Sequence, residues 1–397
     1  MIFIGSLYPQ SLYSQNLKEG THIDFAAHTF QSSLLEGLSE RYDDISVITS
    51  PVTSTYPSSK HLFYKSNREY LLTNRGRIKR TIVRQISFFN LPLIKMVSEY
   101  VQIKRCLKSI LKENETVFIY ALHSPFLLAA YAFRYRTQKI CVIVPDLPEF
   151  MSHNKGLIRK FLKIINKHII DKCLKSFKNY VLFSKLMETK LPIQGKNIVV
   201  VEGIYNPIEI ESTSKDTKRT ILYTGIINRK YGVFDLIEAF HRIDGDDYQL
   251  VLCGSCPTER PELDKYLSVD QRIKYLGMLP TQEVRKLQRS ATIVVNPRHS
   301  TDEYTKYSFP SKTMEYMASG TPTLMCRLPA IPEDYNKHLF FFEDESVNGY
   351  KDRIEELCSM NSDFLSEFGI KAKKFILDNK NCFSQANRIC DILEKQN

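Results

Sequence analysis

The stretch YTKYSFPSKTMEYMASGTPTL, residues 304–324, decides how this chain is read. It is preceded by ATIVVNPR (291–298) and ends in TPTLMC (321–326), two apolar, β-branched runs of strand length. Between them Pro310 suits the first turn of a helix, where its missing N–H costs nothing. Strand, helix and strand in this order form the crossover unit of a parallel sheet.

The same alternation extends in both directions. Strands are expected at 1–5, 45–49, 116–122, 139–145, 179–184 and 197–203 in the first half. In the second half they are expected at 220–225, 248–254, 272–277, 291–297, 321–326 and 339–344. The polar, aperiodic segment YNPIEIESTSKDTKRT (205–220) reads as a linker between two doubly wound halves. The expected fold is therefore α/β, with two Rossmann-like domains facing each other across a cleft: residues 1–205, residues 206–375, and a final helical stretch 376–397. Ligands of such sheets bind beyond the carboxyl ends of the strands, so residues just after each strand carry the chemistry.

Length and composition agree with two globular domains. The chain has 397 residues, 43% of them hydrophobic and 25% charged. No run approaches the roughly 20 apolar residues that span a bilayer, and MIFIGSLYP lacks the basic start of a signal peptide, so a cytoplasmic protein is expected. The nine cysteines are scattered; Cys253 and Cys256 form the one close pair, without the second pair that zinc requires.

The net charge of +11 is unevenly spread. Residues 1–205 hold 29 Lys and Arg against 15 Asp and Glu, whereas the remainder holds 26 against 29. Within KGLIRKFLKIINKHIIDKCLKSFK (155–178), Leu157, Ile158, Phe161, Leu162, Ile165, Ile169, Cys173, Leu174 and Phe177 recur at helical spacing, with Lys and Arg on other faces. Such a helix is expected to pack its apolar side on the sheet. Charge of one sign on its outer face would draw an anionic membrane surface, at about 1 kcal/mol per Lys or Arg. Nucleic acid would attract the same charge, but no helix-turn-helix, zinc-finger or stacked-aromatic module accompanies it, and no nucleic-acid partner is expected.

The helix opening at Pro310 offers an anion site. Its first amide groups, near Ser311 and Lys312, point toward the strand ends, and the lysine adds positive charge. Gly225 ends another strand and is followed by Asn228, Arg229 and Lys230 before Gly232 opens the next helix. Arg298 closes ATIVVNPR on the same side. Glycine allows close backbone approach, and cations at strand ends suit a diphosphate.

ILYTGIINRKYGVFDLIEAF, LVLCGSCP, IKYLGMLPTQEVRKLQRSATIVVNPR and SFPSKTMEYMASGTPTL, in this order and spacing, resemble the donor-binding domain of family 4 glycosyltransferases, which have the GT-B fold. FQSSLLEGL, IYALHSP and VIVPDLPEFM look like first-domain elements of bacterial members. The resemblance implies a nucleoside diphosphate sugar donor and retention of anomeric configuration. It also implies a ribose-binding role for Glu315 and no cofactor; the Asp-x-Asp signature of metal-dependent transfer is absent. Family members commonly carry an arginine and a lysine where this chain has Ile226 and Tyr231, so the phosphate role passes to the neighbouring Arg229 and Lys230. Tyr307, followed by Ser308, stands where the family often has a glutamate that contacts the donor sugar.

On the acceptor side the candidates are Asp146 and Glu149 in VIVPDLPEFM, His123 in ALHSP, and the backbone at Gly5. Asp146 equally fits a structural cap, and a lone histidine is more often structural than functional. The leading reading is transfer of a sugar to a glycan acceptor carried on a lipid, in surface polysaccharide assembly. A nucleotide-sugar epimerase of the same fold and a non-catalytic membrane or nucleic-acid platform are the alternatives.

Overall fold

The computed structural model describes residues 1–19, 23–73, 76–92, 94–147, 157–206 and 213–394. The chain divides into two units, Met1–Ile204 with Cys382–Asn397, and Tyr205–Asn381.

The first unit is built on an eight-stranded sheet. Its elements are β1 (Ile2–Gly5), α1 (Gln10–Glu19), α2 (Phe25–Leu38), β2 (Ile45–Thr49), β3 (Phe63–Tyr64), β4 (Asn67–Thr73), β5 (Gly76–Gln85), β6 (Phe88–Phe89), α3 (Ile94–Ile110), β7 (Val117–Tyr120), α4 (Ser124–Tyr131), β8 (Ile140–Val144), α5 (Leu157–Ser176), β9 (Asn179–Leu182) and β10 (Asn197–Val200). The strand order is β10-β9-β8-β7-β1-β2-β5-β4, parallel except where β4 pairs antiparallel with β5. β3 and β6 form a separate two-stranded ribbon. The central strands are apolar throughout because helices cover both faces of a parallel sheet. β1, β7, β8 and β9 are buried at every position. A last helix, α12 (Cys382–Glu394), brings Ala386, Ile389, Cys390 and Leu393 into this unit's core beside Leu34, Leu35 and Leu38 of α2.

The second unit has a six-stranded parallel sheet. Its elements are β11 (Arg219–Thr224), α6 (Val233–His241), β12 (Tyr248–Cys253), α7 (Arg260–Val269), β13 (Ile273–Tyr275), α8 (Thr281–Ser290), β14 (Ile293–Asn296), α9 (Lys312–Ser319), β15 (Thr323–Cys326), β16 (Phe340–Phe342), α10 (Val347–Ser359) and α11 (Ser362–Asn379). The order β13-β12-β11-β14-β15-β16 reverses direction between β11 and β14. That reversal leaves a crevice beyond the carboxyl ends of those two strands, which is where doubly wound sheets bind ligands.

One expectation is corrected. The apolar positions of α5 divide into two sets. Ile170, Cys173 and Leu174, with Phe177 just beyond the helix, are buried, whereas Phe161, Leu162, Ile164 and Ile165 are exposed. Length explains the division. α5 has 20 residues, about 30 Å, while β8 has five, about 17 Å, so the leading half of the helix extends past the sheet that should bury it.

Candidate functional site

Three neighbouring strands of the second unit are followed within two residues by glycine, and backbone hydrogen bonds tie these ends together. The Gly225 N–H donates to the Cys253 carbonyl and the Gly254 N–H to the Gly277 carbonyl, each at 2.8 Å. Gly254, at φ +139°, leaves no room for a side chain: a Cβ there would lie 1.8 Å from the Gly225 oxygen. Backbone thus forms the floor of the crevice beside β11.

Helix α9 is fixed above this floor by one residue. Tyr316 is 1% exposed. Its hydroxyl accepts from the Thr224 N–H and donates to the Thr224 carbonyl, both at 2.9 Å. This pair of hydrogen bonds to the last residue of β11 places the first turn of α9 at the carboxyl end of the sheet. The helix begins at Lys312 with Ser311 as its N-cap, and Pro310 supplies the first carbonyl, to Thr313 N–H. Ser311 makes no side-chain capping bond and is exposed. Lys312 Nζ lies 3.3 Å from Glu315 Oε2. Burial favours the neutral amine, but the Glu315 carboxylate and the Tyr316 hydroxyl outweigh it and raise the Lys312 pKa. The ammonium also acts on Cys253 at the end of β12, so its charge lies over the strand ends. Glu315 is exposed on the same turn.

The loop after Gly225 uses its polar groups differently from the expectation. Asn228 Oδ1 accepts from the Tyr231 N–H at 2.9 Å and caps a single 3-10 turn, Arg229–Tyr231. Arg229 forms an ion pair with Glu262 of α7 and lies over the Phe234 ring. Lys230 Nζ sits 4.8 Å above the Tyr304 ring. Arg298, two residues beyond β14, rests its guanidinium 4.5 Å from the centre of the Tyr231 ring. Gly232 permits this approach, since a Cβ there would meet the Pro297 oxygen at 1.9 Å. The Tyr304 hydroxyl is pushed up to about 12, chiefly by burial and against the pull of Arg298. Tyr307 is buried at the end of a second 3-10 turn (Glu303–Lys306), and Ser308 is half-buried before Phe309 and Pro310.

In the first unit the candidates follow β1, β7 and β8. Next to Gly5, the Ser6 N–H donates to Gln31 Oε1 at 2.9 Å, and a Cβ on Gly5 would strike that oxygen at 2.3 Å. His123 is the N-cap residue of α4, and its Nε2 lies 3.0 Å from Oε2 of buried Glu99. Ser50 Oγ donates to the other Glu99 oxygen at 2.6 Å. Burial alone would raise the Glu99 carboxyl, but the bonds from His123 and Ser50 and the Lys95 charge hold it below the usual carboxylate value. Asp146 keeps solvent access, yet its pKa is raised, first by desolvation at the strand ends and then by the charge of Asp24. Asp24 is the N-cap of α2 and accepts from the Ala27 N–H at 3.0 Å. Glu149 lies outside the described residues.

Residues 218–360, which contain the glycine floor, Arg298 and α9, match the family model of glycosyl transferases group 1. This part of the chain is a glycosyl transferases group 1 domain. No curated protein matches the chain. Solved structures that resemble it along the whole chain share little sequence. Sucrose-phosphate synthase from Thermosynechococcus elongatus is 11% identical with a TM-score of 0.64, the match covering 99% of this chain and 98% of that one. HepE of Anabaena, solved with UDP, is 12% identical with a TM-score of 0.65 and 99% coverage of both chains. The lipopolysaccharide outer core galactosyltransferase WaaB is 15% identical with a TM-score of 0.63, covering 100% and 99%. At these identities the likeness establishes the fold.

In this GT-B fold the structure gathers Gly225, Arg298, Ser311, Lys312 and Glu315 at the ends of β11 and β14, and occupies Arg229 and Lys230 with Glu262 and Tyr304. Sequence reasoning missed Tyr316, Gly254, Glu99 and Asp24. Gly254 was within reach, because YTG, LCG and YLG repeat one pattern of a strand closed by glycine. Glu99 carries no local signal and meets His123 and Ser50 only in the fold, whereas Asp24 shows locally as the cap of α2 and its effect on Asp146 depends on the tertiary structure.

Proposed function

We propose that this GT-B protein is a glycosyltransferase that moves a sugar, with retention of configuration, from a nucleoside diphosphate sugar to a glycan acceptor, one carried on a lipid at an anionic membrane surface during surface polysaccharide synthesis. The observation that carries the donor part is the first turn of α9, held by Tyr316 at the carboxyl end of β11 with Lys312 and Glu315 on its open side. Amide groups at Ser311 and Lys312 and the Lys312 ammonium take the diphosphate, and Glu315 accepts from the ribose hydroxyls. Arg298, steadied on Tyr231, supplies a second cation close to where related enzymes carry a lysine, and Arg229 would reach phosphate by leaving Glu262. These cations lower the barrier by stabilising the departing diphosphate as the bond to the anomeric carbon breaks. They need no metal to do so. UDP in the HepE structure supports the donor half of the reading, and the naming of WaaB as a lipopolysaccharide outer core galactosyltransferase supports the acceptor half.

On the acceptor side Asp146 is the group we assign to the attacking hydroxyl. Its raised pKa suits a carboxylate that shares a proton, and Glu99 orients His123 beside it in the row of strand ends. Gly5 contributes close-packed backbone.

Titration with nucleoside diphosphates tests the donor site. UDP or another nucleoside diphosphate is expected to bind and raise the melting temperature. Glu315→Ala removes charge-assisted bonds worth about 2 kcal/mol and should weaken that binding roughly 30-fold with the fold retained. Unchanged affinity in that variant would remove Glu315 from the site, and no binding of any nucleoside diphosphate would overturn the donor assignment.

A further inference from the structure

The leading half of α5 poses a question the donor site does not answer. Phe161 and Ile164 are 63% and 62% exposed, and Leu162 and Ile165 beside them 37% and 41%. Lys163 and Lys167 alternate with them and are exposed too. A second apolar group flanks the start of α3, where Ile94, Val97, Phe63 and Phe89 are each at least 42% exposed. The Phe63 and Phe89 rings pack together across the β3–β6 ribbon with centroids 5.0 Å apart, and Phe89 N–H bonds Ser98 of α3.

Topology brings the two groups to one end of the first unit. α3, α4 and α5 lie side by side, and each leads into the next parallel strand, β7, β8 and β9. All three helices therefore run opposite to the strands, and their first turns lie at the carboxyl ends, the end that also holds His123 and Asp146. Overhanging helix starts place apolar side chains and lysines together on that rim.

We infer that this rim inserts into an anionic lipid surface, with Phe161 and Ile164 entering the boundary between headgroups and acyl chains and Lys163 and Lys167 meeting the headgroups. The inference deepens the membrane-carried acceptor proposed above, since it names the contact and makes it one of insertion as well as attraction. Charge argues for lipid as the occupant. Lys155–Lys178 holds eight Lys and Arg against one Asp, a balance that repels a second copy of the same face and suits anionic headgroups. Nucleic acid would fit the charge but leave the exposed aliphatic side chains in water. Among the described residues no helix is long and apolar enough to cross a membrane, so contact of this kind is interfacial.

The chain contains no tryptophan, so a single one reports its own surroundings. In the full-length Phe161→Trp protein, vesicles of phosphatidylcholine and phosphatidylglycerol should shift the emission to the blue, and brominated acyl chains should quench it. Ile370→Trp on α11, where Ile370 is 60% exposed, should show neither. Co-sedimentation should survive about 1 M salt, where the Debye length falls to about 3 Å, and should drop at least about 30-fold in a Phe161→Asp, Ile164→Asp double variant. An unshifted Phe161→Trp spectrum on sedimented vesicles would overturn insertion. So would complete release by salt, or a dimer in solution that the double variant turns into monomer. Nucleoside diphosphate affinity, measured in the same double variant without vesicles, should match the unsubstituted protein; it reads the donor site alone, so failure of either reading is seen separately.

Discussion

Replacing Tyr316 with phenylalanine isolates the bond that fixes α9. The ring is 1% exposed and phenylalanine fills the same volume, so packing is unchanged and only the hydroxyl is lost. That hydroxyl takes the Thr224 N–H and gives its proton to the Thr224 carbonyl, and it lies 3.2 Å from Thr224 Oγ1. β14 pairs with β11 only at Ile221 and Leu222, so no strand partner replaces it at Thr224. Leaving the buried Thr224 N–H and C=O without the hydroxyl costs about 1–3 kcal/mol. A loss of about 2 kcal/mol lowers the melting temperature of a unit this size by about 4–8 °C. Scanning calorimetry can follow it, the transition of the second unit being the one that a bound nucleoside diphosphate moves upward. Nucleotide affinity should fall several-fold as well, because Thr224 directly precedes Gly225. A drop below about 1 °C would show that the Thr224 amide has another partner and would refute the clamp.

Two further tests concern neighbouring structural claims. Gly254→Ala would force a Cβ to within 1.8 Å of the Gly225 oxygen at φ +139°, and should weaken nucleoside diphosphate binding more than tenfold, whereas Gly277→Ala, at φ +66° with nothing within 4 Å, should cost only the roughly 1–2 kcal/mol of a left-handed alanine. Urea unfolding and titration distinguish the two; equal effects would contradict the close contact. In the first unit, burial pushes His28 down to about 4 from an ordinary 6.5, and its Nδ1 accepts the Tyr8 N–H at 3.3 Å, a bond the protonated ring cannot make. Because the folded value lies below the unfolded one, this stabilisation is complete above about pH 6.5 and is lost as pH falls toward 4. After allowance for partial exposure it amounts to about 2 kcal/mol. Urea midpoints should decline across that window, and His28→Leu should flatten the decline; an unaltered slope would place its origin elsewhere.

Much of this fold is legible locally. Every strand of the second unit falls where an apolar run predicts it, because strands buried on both faces announce themselves by composition. The β3–β6 ribbon and the β4–β5 hairpin were not read, since residues 63–89 mix Lys, Arg and Asn with their apolar residues and edge strands with solvated faces carry a weak pattern. The helix start at Lys312 and Glu315 was legible for the same reason as the strands: its signal lies within a few consecutive residues.

What sequence alone determined is the succession of strands and crossover helices, the order reversal being implicit in it, and the family likeness of residues 219–335. Only the tertiary structure decided the partners of the side chains: Arg229 with Glu262, Tyr316 with Thr224 across 92 positions, His123 with Glu99, and which half of α5 is covered. The physical reason is range. Periodicity and capping act over one or two turns of chain, whereas these pairings and the α5 overhang depend on how far apart packing sets the strands and how far each one extends.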